Sequence, residues 1–344
     1  MFRKLYIISI LILTACSNTA TNNGWTKSTC NGLPKMYAGF NFLGVQHDSS
    51  LFISAEVMDV KDPANAGGYK STLYQSKDNG RTWTASFSDS GSITALSVNA
   101  TSVYCAVGKN LYNQNALFAD SVTVMANVDG KGWVPIFMRS DFYIKNILPT
   151  ADSDLILIGR TISDTWELLK GNPQTSAWTS LTSLPIGFYG PMLVNDKLWF
   201  INRGMKDSIG YYSFSAGAIY NISLPQNFKA YALAEMGGRI LIACKSDRTS
   251  IMSYDPITGK FRIMVTMEDA NLYPVSLTAD GGKILMLLGN GREVSPAYCI
   301  YSGDMATNKG DIEKLPNVYV TPFTFYKTAF WGYEHETIYT KKMF

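Results

Sequence analysis

Seven short apolar runs recur through this chain: Leu51–Ile53, Val103–Val107, Leu155–Ile158, Leu198–Ile201, Ile240–Ala243, Ile284–Leu288 and Ala329–Trp331. Their starts lie 42 to 52 residues apart. Each run is too short for a helix and rich in strand-forming residues, which suits a strand buried on both faces. A polar residue often stands just before the run, as at Asp154, Lys197, Arg239 and Lys283. A second marker keeps step. Trp25, Trp83, Trp133, Trp178, Tyr220, Phe261 and Ile312 each stand where an outer strand should begin. A period of this length predicts one small sheet per repeat, each stacked on the next. The ends complete the count. After Leu315–Pro316 there is room for three strands, near 319–326, 328–334 and 337–342, and Trp25 opens a strand with no repeat before it. Residues 24–29 are therefore expected to supply the fourth strand of the last sheet, which joins the termini and removes an open sheet edge.

One turn between strands carries a recognisable pattern. Ser76-Lys77-Asp78-Asn79-Gly80-Arg81-Thr82-Trp83 has the form S-x-D-x-G-x-T-W. Asp accepts the free N–H groups of its own turn, Gly supplies φ > 0, and Trp opens the returning strand with a large apolar face. The stretch resembles the Asp-box of sialidase-like β-propellers, in which Ser76, Asp78, Gly80 and Trp83 have structural roles. Asn127–Trp133 looks like a degraded copy. Later repeats resemble kelch blades: Gly237-Gly238-Arg239-Ile240-Leu241-Ile242 is followed by Tyr254-Asp255-Pro256-Ile257-Thr258-Gly259-Lys260-Phe261, although Ala243-Cys244 stands where a second kelch Gly-Gly belongs. Together with the seven repeats, the resemblance implies an all-β fold: a seven-bladed β-propeller over residues 24–344, its last blade closed by an N-terminal strand.

The N-terminus reads as an address. Arg3 and Lys4 precede an apolar run from Leu5 to Leu13, too short to span a bilayer. Leu13-Thr14-Ala15-Cys16 resembles the lipobox of bacterial lipoproteins, which implies cleavage after residue 15 and lipid on Cys16. Ser17 rather than Asp follows, which in that family implies transfer to the outer membrane. Residues 16–23 read as a short polar tether. Losing Arg3 and Lys4 with the leader takes the formal net charge from +3 to +1. A near-neutral body argues against nucleic acid as a partner. Cys30, Cys105, Cys244 and Cys299 remain, and only Cys244 with Cys299 falls in neighbouring repeats; buried free thiols are the simpler expectation. There is no CxxC and only two histidines, His47 and His335, so neither a zinc site nor any other cofactor is expected.

Propeller geometry sorts residues onto two faces. The Asp-box turn joins the third and fourth strands of a blade, and ligands of related propellers usually occupy the opposite face. On that face, ends of the second strands offer Lys109, Arg160, Arg203, Lys245 with Arg248, and Arg292, a basic arc suited to an anionic ligand. Arg139 stands at the entry to the third blade. Tyr143, Tyr189 and Tyr231 fall near the start of inner strands and suit sugar stacking. Against this, solvated loop charge with Asp164, Asp207, Asp247 and Glu293 as local partners is the simpler account of the cations. The sequence contains neither a G-x-S-x-G elbow nor a phosphate-binding loop. The expectation is thus a membrane-anchored binding or scaffold protein for an envelope glycan or protein. The alternative is a carbohydrate-active enzyme resembling sialidases or kelch-type sialic-acid epimerases, which requires Arg139, Arg160 and Arg203 to converge on one pocket.

Overall fold

The computed structural model describes residues 19–20, 26–29, 32, 44–47, 50–58, 69–78, 82–109, 121–175, 177–185, 187–202, 207–290, 298–304, 307, 309–315, 324–326, 329–334 and 337–342. Cys16, Cys30, Gly80, Arg203 and Arg292 lie outside the described residues. Every described element is a strand. Two short ones, β1 (Thr19–Ala20) and β2 (Thr26–Thr29), precede the repeats. The first sheet comprises β3 (Gly44–His47), β4 (Ser50–Met58), β5 (Tyr69–Ser76) and β6 (Thr84–Ser90). The second comprises β7 (Ser92–Val98), β8 (Ser102–Lys109), β9 (Ser121–Val128) and β10 (Trp133–Ser140). The third comprises β11 (Phe142–Pro149), β12 (Leu155–Thr161), β13 (Trp166–Asn172) and β14 (Ala177–Leu184). In the fourth are β15 (Phe188–Val194), β16 (Lys197–Asn202), β17 (Ser208–Ser213) and β18 (Ala218–Ser223). In the fifth are β19 (Lys229–Met236), β20 (Arg239–Lys245), β21 (Thr249–Asp255) and β22 (Lys260–Thr266). The sixth holds β23 (Tyr273–Asp280), β24 (Lys283–Gly289), β25 (Tyr298–Asp304) and β26 (Lys309–Lys314). The last repeat supplies β27 (Thr324–Tyr326), β28 (Ala329–Glu334) and β29 (Thr337–Lys342).

Each four-stranded sheet is an antiparallel meander with strands in chain order. The first strands of successive sheets approach one another in turn, from β27 to β3 and onward through β7, β11, β15 and β19 to β23. That arrangement is a β-propeller with the first strands innermost. As expected, β2 closes the last sheet by pairing with β29, Thr26 opposite Thr340 and Thr29 opposite Thr337. One finding was not expected. The polar stretch before β2, read from sequence as a tether, contributes β1, which pairs outside β2 with Thr19 opposite Lys27. The last sheet therefore has five strands in the order β1-β2-β29-β28-β27.

The apolar runs behave as two-sided strands. On β12, Leu155 and Leu157 pack with Val122, Val124 and Ala126 of the second sheet, while Ile156 and Ile158 pack with Leu198 and Phe200 of the fourth. On β20, Ile240 and Ile242 face the fourth sheet, and Leu241 and Ala243 face the sixth. This is period-two alternation with apolar residues on both sides, which only a sheet sandwiched between neighbours can bury. The tryptophans that open outer strands tie each sheet to the one before. Trp133 Nε1 donates to Ser86 Oγ at 3.2 Å, and Trp178 Nε1 donates to the Ile136 carbonyl at 3.2 Å. Cys105, Cys244 and Cys299 are free and buried. Cys244 packs between the fourth and fifth sheets and Cys299 between the fifth and sixth, so a sheet separates them.

Candidate functional site

Antiparallel meanders fix which loops share a face. The turn Ser76–Trp83 joins β5 to β6, on the face opposite the links between sheets. Its hydrogen bonds match the roles read from sequence. Thr82 N donates to Asp78 Oδ1 at 2.9 Å, Thr82 Oγ1 to Asp78 Oδ2 at 2.6 Å, and Ser76 Oγ to Asp78 Oδ1 at 2.8 Å. Trp83 is buried. The connections from second to third strands and from sheet to sheet emerge on the other face, here termed the link face.

Among the described residues, the link-face cations are mostly engaged by the fold. Arg139 makes a two-pronged contact with Glu167, at 2.7 Å from Nη1 and 3.2 Å from Nη2, and its guanidinium lies 4.2 Å from the Phe142 ring centroid. It therefore clamps the second sheet to the third. Arg160 forms an ion pair through Nε with Asp164, without the alignment of a directed hydrogen bond. Lys109 reaches Asp89 at 3.9 Å. Lys245 is only 8% exposed. Its Nζ donates to the carbonyls of Ala270 (2.6 Å) and Leu272 (3.1 Å) in the link to the sixth sheet, and Thr249 Oγ1 donates to the same Leu272 carbonyl at 2.5 Å. Burial pushes the Lys245 pKa below the usual lysine range, with Asp269 and Asp247 acting against the shift. Arg248 is exposed.

Arg139 and Arg160 do not converge on one pocket. Arg160 is opposite Trp166 in register, and Glu167 is opposite Gly159. Neighbouring residues of a strand point to opposite faces. Arg160 thus lies on the side of the third sheet that faces the fourth, whereas the Arg139–Glu167 pair lies on the side facing the second. The sheet itself separates the two arginines.

The inner strands carry a feature that the repeat pattern did not reveal. In the second to sixth sheets, pairing between the first and second strands slips shortly after the chain enters from the link face. The bulged residues are Thr94, Lys145, Gly190 with Pro191, Tyr231 and Val275. Bulges re-aim side chains and are common beside binding sites. Thr94 Oγ1 is turned onto the next sheet and donates to the Ile144 carbonyl at 2.6 Å. Lys145 is exposed, with Nζ 5.6 Å from the ring centroids of both Trp166 and Tyr189. Tyr231 meets the edge of Tyr273 at 6.5 Å, and Lys245 Nζ lies 4.2 Å from the Tyr273 centroid. The mouth of the ring therefore holds two lysine–aromatic clusters, one at the third and fourth sheets and one at the fifth and sixth. Next to two of the bulges, the buried atoms Asn146 Oδ1 and Ser276 Oγ have no hydrogen-bond partner among the described residues. Of the tyrosines expected at the rim, Tyr189 and Tyr231 are half-buried members of these clusters, whereas Tyr143 is 7% exposed and belongs to the core. Ile162, Tyr273 and Val275 add exposed apolar surface on this side, while Met138 lies on the outermost strand β10.

No protein-family model matches the chain, and no curated protein matches it by sequence. Solved structures do. YCF48 bound to D1 peptide superposes with a TM-score of 0.59 at 11% identity, covering 94% of this chain and 97% of that one. Oligogalacturonate lyase in complex with manganese superposes with a TM-score of 0.62 at 10% identity, covering 88% and 96%. The β-propeller domain of the Trilobed protease from Pyrococcus furiosus, which has an open velcro topology, gives a TM-score of 0.57 at 11% identity over 90% and 97%. At these identities the likeness establishes the propeller fold. Unlike the open velcro of that protease domain, the ring here is closed through β2 and β29.

Proposed function

We propose that this protein is a lipid-anchored, non-enzymatic binding propeller of the bacterial outer membrane that holds a protein partner on its link face. The carrying observation is the mouth of the ring, where bulges place two lysine–aromatic clusters beside exposed aliphatic side chains. Amphipathic aromatics next to apolar groups suit polypeptide recognition. Exposed Ile162 and Val275 favour a polypeptide over a glycan, which offers little surface for aliphatic contact. A propeller of this shape has been solved with a peptide bound, as in YCF48 with D1 peptide. Lipobox-like Leu13–Cys16 supports the anchor, and the hydrogen-bonded turn at Asp78 supports an Asp-box type of propeller.

Photo-crosslinking tests the proposal. A photoreactive residue at Ile162 or Val275 of the delipidated body (Cys16→Ser) should capture a polypeptide from envelope extracts, and one at Ile257 on the other face should not. Capture from Ile257 alone would refute the face assignment. Binding on a glycan array that is lost with Tyr189→Ala and Tyr231→Ala would replace the protein partner with a carbohydrate.

A further inference from the structure

At the bulge in β11, two neighbouring residues reach the same side of their sheet. Asn146 is opposite Ile158, which packs with Leu198 and Phe200 of the fourth sheet. Side chains directly opposite one another share a face, so Asn146 points toward the fourth sheet. Arg160 follows Ile158 by two residues on β12, and Trp166 is opposite Arg160, which puts both on that face as well. In a regular strand Lys145 would point the other way. Instead its Nζ lies 5.6 Å from the Trp166 ring centroid and 5.6 Å from that of Tyr189 on the fourth sheet. The extra residue has turned Lys145 round to stand beside Asn146. Among the inner-strand bulges of the described residues, only this one sets a cation next to a side-chain amide.

The two groups complement one ligand residue. Lys145 is exposed and can only donate, whereas Asn146 Oδ1 is a buried acceptor with no hydrogen-bond partner among the described residues. A ligand lying across the bulge must therefore bring an acceptor to one and a donor to the other. Resting on the protein-partner reading above, we infer that Lys145 and Asn146 form a subsite for a carboxylate-bearing residue of that polypeptide, whether an acidic side chain or a free C-terminus. The carboxylate takes a charge-assisted bond from the ammonium, and a backbone N–H of the same segment donates to Asn146 Oδ1. The half-buried rings of Trp166 and Tyr189 give the residue's apolar stem something to pack on. Net charge does not select the ligand here, because Arg160 is paired with Asp164, and Asp141 and Asp207 are exposed on the same face. Selection comes from an ammonium and an amide oxygen at adjacent positions, which only the register slip brings together.

Titration of the Cys16→Ser chain, labelled with 5-fluorotryptophan, tests this by fluorine NMR. The Trp166 resonance is assigned by its loss in Trp166→Phe. Three tripeptides serve as probes. Acetyl-Leu-Asp-Leu-amide carries its carboxylate on a side chain, acetyl-Leu-Asn-Leu carries it at the C-terminus, and acetyl-Leu-Asn-Leu-amide carries none. At least one of the first two should shift the Trp166 resonance, and the one that binds more tightly names the source of the carboxylate. The third should bind at least about tenfold more weakly. Lys145→Gln should remove that preference, and Asn146→Ala should weaken binding several-fold, with the other tryptophan resonances unmoved as evidence of an intact fold. No response to either acidic probe, or equal binding of all three, overturns the subsite. Binding by Lys145→Gln as tight as by the parent does so too. If Ile162 still captures a polypeptide in that case, the protein-partner reading stands without the carboxylate. A response to galacturonate that exceeds both acidic tripeptides overturns the two readings together in favour of a carboxylated sugar.

Discussion

Lys245 shows how a residue that looks like a ligand cation can be part of the frame. Its ammonium donates to two carbonyls of the link between the fifth and sixth sheets. Lys245→Met leaves the Ala270 carbonyl without this donor, while Thr249 still serves Leu272. The expected loss is about 1–3 kcal/mol, the cost of a buried acceptor left unmade, measurable by denaturant unfolding at neutral pH. The sign of its pH dependence follows from the depressed pKa. Between the folded value and the ordinary one near about 10.4, the unfolded chain holds a proton that the folded chain lacks. Stability of the native protein should therefore rise, relative to Lys245→Met, as pH approaches that upper value. A difference that stays flat or falls would mean that the ammonium is not penalised by burial. Arg139 makes a second test. Arg139→Lys keeps the charge but loses both the fork on Glu167 and the flat contact with Phe142, so about 1 kcal/mol should go despite the conservative change. Composition made both residues visible; their partners come from a neighbouring sheet or link, and no local spacing records that.

At the scale of the element, the second strands were the most legible part of the chain. Runs such as Leu155–Ile158 admit few readings other than a strand covered on both sides. The bulges were not legible. A bulge changes pairing between strands, and the sequence of one strand carries only its own alternation. Lys145 was missed for that reason: it sits within an ordinary inner-strand pattern, and only the register slip beside Asn146 presents it next to Trp166 and Tyr189. Tyr143 and Tyr189 look alike as Phe-Tyr pairs, and a slip of one residue follows each, yet Tyr143 belongs to the core and Tyr189 is half-buried. Turns were readable because their chemistry is local. Asp78→Ala removes the acceptor for Thr82 N, Thr82 Oγ1 and Ser76 Oγ and should cost about 1–2 kcal/mol. Asp255 is held below the usual carboxylate range, chiefly by the Ile257 N–H and then the Thr258 N–H. Its contribution is complete above the ordinary carboxyl pKa near about 3.9 and is lost as pH falls through the lower folded value. Amide exchange at Ile257 and Thr258 should accelerate there relative to other turns; exchange that tracks global unfolding instead would show that the carboxylate does not hold this turn.

For the whole molecule, closure decides whether seven marginal sheets behave as one body. Each sheet buries its apolar faces only against neighbours, so loss of one junction exposes two surfaces. Closure was readable because Trp25 marks an outer strand with no repeat before it, and the last repeat has room for only three strands. The outermost β1 was not, since Thr19-Ala20 carries no pattern and pairs only because β2 offers it an edge. The ring predicts an asymmetry between two rearrangements of the same chain. Deleting residues 17–31 removes β1 and β2 and leaves β29 as an open edge. That variant should be cut first within 324–342 by limited proteolysis and should self-associate, as unprotected edges do. A circular permutant that joins residue 344 to residue 24 and opens the chain between Leu184 and Phe188 loses only the short pairing of β1 with β2 and keeps the closure of β2 on β29, since those residues end β14 and begin β15. It should unfold in a single transition close to that of the parent. If the deletion proves as protease-resistant as the parent, β2 is an ornament on a ring already closed through side-chain packing. If the permutant alone fails, the covalent link between the third and fourth sheets carries stability that closure through β2 and β29 does not replace.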